Sequence, residues 1–252
     1  MTILQTGEKV IDNIVNSQIT YLEIFKNSLI LYFKNLKLFV KYLAFPVVGI
    51  TLGFSIAVIP AIIFSPIAIV GNFLHYLLIS LTGLLVGLAI FIKAFWGYII
   101  AAASTVYMSQ DLIKSGFIKS VDMYDQEIRS RAKEYIIYLL IISVVSVVFS
   151  LGIITLPLVF FFLLYLQVYV LEKNETPAKA FLRNFSLIKG HFWATLWLGI
   201  LIILATAVLT LPALLFAFNK HLYGAASTVI SLMLLPLINL ILTYWYYKIV
   251  QS

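Results

Sequence analysis

The chain has 252 residues, of which 63% are apolar and 11% charged, where a soluble domain carries about a quarter charged residues. That leaves too little polar surface to wrap a water-soluble globule, and it excludes both a disordered chain and a soluble two-domain enzyme. Seventeen Lys and Arg against ten Asp and Glu give a net charge of +7. In an apolar chain this excess reads as membrane orientation rather than as a nucleic-acid footprint.

Residues 1–41 read as a cytoplasmic N-terminal segment. Met1 to Ser17 is mostly polar and carries no signal-peptide pattern. Tyr21 to Leu36 reads as an amphipathic helix, with Tyr21, Phe25, Leu29 and Phe33 on one side and Lys26, Asn27 and Lys34 off that stripe.

Residues 42–110 form a first predicted hairpin. A spanning helix needs about 20 apolar residues, and Val47 to Phe64 with its flank from Tyr42 supplies them. From Gly71 to Gln110 the only charge is Lys93. As one helix this run measures about 60 Å at 1.5 Å per residue, roughly twice the hydrocarbon thickness. Two crossings would put the charges between Asp111 and Glu134 on the opposite side from every other charged segment. One crossing keeps them together, so a single span is predicted, with an interfacial or re-entrant part around His75 to Gly87.

Residues 111–171 form a middle hairpin. A charged amphipathic segment, Phe117 to Lys133, leads into the uncharged run Tyr135 to Leu171. Gly152 and Pro157 divide that run into two short helices. Residues 172–252 form the third hairpin. Its lead-in, Pro177 to Lys189, places Ala178, Phe181, Phe185 and Ile188 apart from Lys179, Arg183 and Ser186. Thr176 suits the N-cap, Pro177 the first helical position and Gly190 the exit. Phe192 to Asn219 and Leu222 to Tyr247 follow as charge-free spans.

The predicted fold is an all-α integral membrane protein, one membrane domain over residues 1–252. About six transmembrane helices form three hairpins, each entered from a cytoplasmic amphipathic helix. Fifteen of the seventeen basic residues and all ten acids then fall on one face. That asymmetry assigns the face to the cytoplasm, with both termini inside, in the cell membrane of a prokaryote. Phe192, Trp193 and the run Tyr244 to Tyr247 suit the headgroup level there.

Three similar strings mark an internal repeat: Val58-Ile59-Pro60-Ala61-Ile62-Ile63-Phe64, Thr155-Leu156-Pro157-Leu158-Val159-Phe160-Phe161 and Thr210-Leu211-Pro212-Ala213-Leu214-Leu215-Phe216. Each sets a hairpin proline (Pro60, Pro157, Pro212) near the outer end of the first helix of a pair, where it can stop or kink the helix.

The stretch Leu156-Pro157, Tyr169-Val170-Leu171-Glu172, Pro177-Ala178-Lys179-Ala180-Phe181 and Asn184 to Trp193 is similar to the membrane domain of bacterial glycerophosphoryl diester phosphodiesterases and its stand-alone membrane-protein relatives. The resemblance implies a Pro-bearing hairpin, an acidic residue, an Ala-rich amphipathic helix, then Lys-Gly and an aromatic opening the next span. In that family the phosphodiesterase chemistry belongs to a separate soluble barrel domain. No soluble stretch here is long enough to form one, so the enzymatic activity is not carried over.

Candidate sites are few. Lys93 is the one charge inside a span. It reads either as an anion or headgroup contact or as a snorkelling side chain. Lys26, Lys34, Lys179, Arg183 and Lys189 could meet anionic lipid from the amphipathic segments, which read equally as ordinary helices tucked against the bundle. Gly49 with Gly53, and Gly83 with Gly87, permit close helix contact, within one chain or between two. His75, His191 and His221 fall at span ends on both faces and read as interfacial residues. The absence of Cys removes thiolate ligands and thiol nucleophiles. No carboxylate pair, metal-spaced cluster or phosphate loop stands out, so no catalytic residue, metal or cofactor is predicted. The expected role is a non-enzymatic scaffold that binds membrane lipids, with a protein partner or a second copy as a further possibility and no nucleic acid. The alternative is a permease or transporter subunit with a pathway near Lys93.

Overall fold

The computed structural model describes residues 20–63, 73–131, 163–172 and 176–250. Among the described residues every regular element is helical: α1 (Tyr21–Lys34), α2 (Leu36–Ile63), α3 (Phe73–Ser115), α4 (Val121–Ser130), α5 (Tyr165–Leu171), α6 (Pro177–Gly190), α7 (Phe192–Thr210), a 3-10 turn (Leu211–Phe216), α8 (Lys220–Met233) and α9 (Leu235–Val250). Most of the predicted middle hairpin, with Gly152 and Pro157, lies outside the described residues.

The three lead-in helices start alike. Thr20, Ser120 and Thr176 each cap their helix by accepting a bond from the backbone N–H three residues on, at Glu23, Met123 and Lys179. This satisfies donors that the first turn leaves open. Thr20 forms a full capping box, its own N–H donating to Glu23 Oε2 at 2.9 Å. Pro177 takes the first turn of α6, where its missing N–H costs nothing.

Burial corrects the predicted apolar stripes. The buried ridge of α1 is Ile24, Ser28 and Tyr32, that of α4 is Tyr124 and Ile128, and that of α6 is Ala180, Asn184 and Ile188. In each helix the ridge begins four residues past the cap. The predicted side chains Tyr21, Phe25, Leu29 and Phe181 are half-buried, while Phe33, Ala178 and Phe185 are exposed. Hydropathy favoured the aromatic edge; packing selects small and mid-sized groups that let a helix sit close to its neighbour.

Among the described residues, four helices are long and apolar enough to cross a membrane: Leu36–Pro60, Phe73–Ser115, Phe192–Phe216 and Leu222–Val250. Four of their hydroxyls fold back on the helix, Thr51 to Val47 O, Ser55 to Thr51 O, Thr206 to Ile202 O and Thr228 to Gly224 O, so these four demand no outside partner in an apolar setting. Pro60 lies near the end of α2, and Pro212 falls in the turn that ends α7. α3 is one unbroken helix of 43 residues. Of the interfacial or re-entrant part expected around His75 to Gly87, no re-entrant turn is present, because Gly83 and Gly87 serve as contact points inside a helix that holds no proline. The helix stops at Gly116, whose φ of +76° is open to glycine and whose N–H donates to Leu112 O.

The fold divides into two compact units. The first draws on residues 1–36, 102–211 and 234–252, the second on 37–101 and 212–233. In the first unit eleven of the sixteen residues of α9 are buried. α1 and α5 pack on it, and α6 packs on α5 and α7. Tyr165, Tyr169, Met108, Leu112, Ile128 and Ile188 fill the core. In the second unit α2 and the first part of α3 touch along glycines, and Tyr98 Oη donates to Leu232 O of α8 at 3.1 Å.

Candidate functional site

The sequence-predicted site residues separate into three places. Gly49, Gly53, Gly83 and Gly87 form a seam in the second unit. A Cβ at Gly49 would meet Ala94, one at Gly53 would meet Phe91 and Gly87, and one at Gly83 would meet Pro60 and Ile56. Rising numbers on α2 meet falling numbers on α3, so the two segments run antiparallel here. Lys93, next to Ala94 of this seam, is exposed beside a shallow groove of about 510 Å³ walled by Phe45, Val48, Leu52 and Ile90.

Lys26, Lys34, Lys179, Arg183 and Lys189 form the third set. All five are exposed on α1 and α6 in the first unit. Exposed apolar side chains accompany them: Leu22, Ile30 and Phe33 on α1, Leu182 and Phe185 on α6.

Polar contacts hold the lead-in helices in place, and they use acids. On α4, Asp125 accepts from Ser104 at 2.6 Å and Glu127 from Tyr107 at 2.7 Å. Asp111 of α3 accepts from the Tyr124 hydroxyl and from Lys119 N at 2.9 Å, with Lys119 Nζ 3.9 Å away. Burial, followed by the bond to Asp111 and its charge, raises the Tyr124 phenol above its usual value. Beyond α5, Glu172 accepts from Tyr246 at 2.8 Å and lies 3.6 Å from Arg183. Tyr165 Oη donates to Pro177 O at 2.7 Å and anchors the start of α6.

Among the described residues, Asp111, Asp125, Glu127 and Glu172, four of the six acids, are thus turned inward and bonded. Most bases of the same unit stand outward. The surface that the lead-in helices present is therefore more basic than the composition alone conveys, and it is studded with apolar groups. Chemically it suits an anionic, amphipathic surface.

A second feature escaped the sequence reading. Asn239 of α9 donates to Ala102 O at 2.9 Å and to Thr105 Oγ1 at 2.7 Å, and accepts from Gln167 Nε2 at 3.3 Å. Trp245 Nε1 donates to Thr195 at 3.0 Å. Arg131 stacks over Tyr169 with 4.4 Å to the ring centroid. The available signal was the polar residue inside an apolar run, Asn239 and Gln167 above all, since in hydrocarbon such groups bond across helices. Among the described residues no group of three His, Cys, Asp or Glu could hold a metal ion. Comparisons of the chain with protein families, with curated proteins and with solved structures find no match.

Proposed function

We propose that the protein is a non-enzymatic scaffold of the cytoplasmic membrane that binds anionic lipid through its lead-in helices. The proposed topology has six spans in three hairpins, with both termini inside. The common start of α1, α4 and α6 supports a threefold internal repeat, each unit a capped amphipathic helix that leads into a hairpin. The same plan fits kinship with the stand-alone relatives of the glycerophosphoryl diester phosphodiesterase membrane domain.

One observation carries the reading: acids are spent on internal bonds while Lys26, Lys34, Lys179 and Lys189 remain exposed beside Leu22, Phe33, Leu182 and Phe185. Each base near an anionic surface contributes about 1 kcal/mol. Replacing all four by Gln should abolish any preference for phosphatidylglycerol over phosphatidylcholine among lipids retained by the full chain, measured by native mass spectrometry. An unchanged preference would refute it. Topology has its own test, because the chain lacks Cys. Ala68→Cys, Gly152→Cys and His221→Cys should each label from outside intact cells; labelling only after lysis reverses the orientation.

A further inference from the structure

We infer that the groove between α2 and α3 holds a free fatty acid, its carboxylate paired with Lys93 and its chain along Phe45, Val48 and Leu52. This site is separate from the lead-in helices and does not rest on their lipid contact. The groove lies wholly within the second unit and encloses about 510 Å³, a volume within the range of small-molecule sites. Phe45, Val48 and Leu52 line its α2 side and are 72%, 52% and 52% exposed, while Ile90 and Lys93 line its α3 side. Lys93 is itself exposed and has no ion pair or hydrogen bond among the described residues. No acid of this unit can supply one, because 37–101 and 212–233 contain no Asp or Glu. An ammonium in an apolar span calls for an anion, and here the anion has to be brought to the unit from outside.

Depth selects a single-chain acid over a phospholipid. Lys93 precedes Ala94, which meets Gly49 across the seam. Gly49 lies about 12 Å along α2 from Lys41, which with Lys37 forms an exposed basic pair at the head of that span. The next charge along α3, Asp111, is about 27 Å from Lys93. In a hydrocarbon layer of about 30 Å, Lys93 is therefore rooted well below the headgroups. Its stem also starts in the wrong direction for snorkelling. Side chains lean toward the N-terminus of their helix, which for the antiparallel α3 leads from Lys93 toward Ile90 and away from Lys41. A phospholipid phosphate is tied to the headgroup layer by its glycerol and two chains. A fatty acid has one chain and one small head, and its single carboxylate neutralises a single ammonium. A second copy is the poorer occupant, because pairing this face with itself brings Lys93 to Lys93 with no acid between them.

The test photolabels the full chain in phosphatidylcholine discs with diazirine-bearing palmitate and maps the labelled peptides by mass spectrometry. Label is expected on 44–52 and 90–94, suppressed by excess palmitate but not by hexadecanol, the same chain without the charge. Lys93→Gln should lower this competed label about tenfold, the scale of one charge-assisted hydrogen bond, and Lys93→Arg should keep it. Val48→Trp fills the groove and should abolish the label. Ile59→Trp, exposed on the same helix but outside the lining, should keep it and controls for bulk. Thermal unfolding checks that each variant folds, and Lys93→Gln carries the test if Val48→Trp does not. Label undiminished in Lys93→Gln, or not competed by palmitate, overturns the inference. Competition by phosphatidylglycerol and not by palmitate makes a phospholipid the occupant. A dimer that excludes the label and that Val48→Trp dissociates makes it a second copy. Either result also overturns the inference. Replacing Lys26, Lys34, Lys179 and Lys189 by Gln should leave the label unchanged, and its loss there would overturn a site separate from the lead-in helices.

Discussion

A Cβ on Gly87 would stand 2.6 Å from the carbonyl oxygen of Gly53 and 2.4 Å from the amide nitrogen of Ala57. The α2 and α3 backbones touch there, and no side chain can be added without moving one of them. Gly87→Ala should cost about 1–3 kcal/mol of stability through overpacking, although alanine favours the helix by about 1 kcal/mol. Gly97→Ala should go the other way and stabilise, because its nearest neighbour, Pro46 Cβ, lies at an ordinary 3.8 Å. Denaturant titration of the two variants in detergent should give opposite signs. Equal signs would show that the seam does not form.

Asn239→Leu should destabilise the first unit by about 1–2 kcal/mol. It leaves Ala102 O and Thr105 without their donor and the Gln167 amide without its acceptor. Adding Gln167→Leu should cost less than the sum of the two single changes, since the second then removes a group already stranded. A double-mutant cycle measures that coupling, and strict additivity would mean that the two amides do not meet.

The Tyr124–Asp111 bond fastens α4 to α3, so Tyr124→Phe should expose the amides of 121–130 to hydrogen exchange at a cost of about 1 kcal/mol. The folded state raises the Tyr124 phenol above its usual value. It therefore holds the proton more tightly than the unfolded chain. The contribution is intact below about pH 10, the unfolded tyrosine value, and drains away as pH rises through the higher folded value. Base unfolding of Tyr124→Phe should show a shallower pH slope than the parent.

Lys93→Met should change stability by no more than about 0.5 kcal/mol, the usual range for a surface site, because Lys93 is exposed beside a groove with apolar walls. Thermal unfolding checks this. A large loss would show that Lys93 has a structural anion partner and would strengthen the permease reading.

Local chemistry made part of this structure readable in advance. Thr176 and Pro177 open α6 as expected, since capping depends on neighbours a few residues away, while Gly190 is the last residue of the helix and His191 takes the C-cap. The helix from Tyr21 was legible from its amphipathic spacing. The rotation of these helices was not. Ile24, Ser28 and Tyr32 lie one residue round from the aromatic stripe that hydropathy picks out. The choice between two adjacent faces belongs to the partner helix α9, which meets α1 only in the folded chain. His75 to Gly87 shows a related limit. Its two glycines permit either a break or a close contact, and only the presence of α2 alongside selects the contact.

By itself the sequence determined the helical class, the apolar segments and the lead-in helices, because each follows from composition, periodicity and interactions over a few residues. Tertiary structure alone decided which polar groups meet. Asn239 finds Gln167 and Thr105, and the acids of α4 find Ser104 and Tyr107, across separations that no local pattern encodes. Those pairings form because a buried polar group must bond or be expelled. In turning Asp111, Asp125, Glu127 and Glu172 inward, they leave the basic side chains of α1 and α6 at the surface.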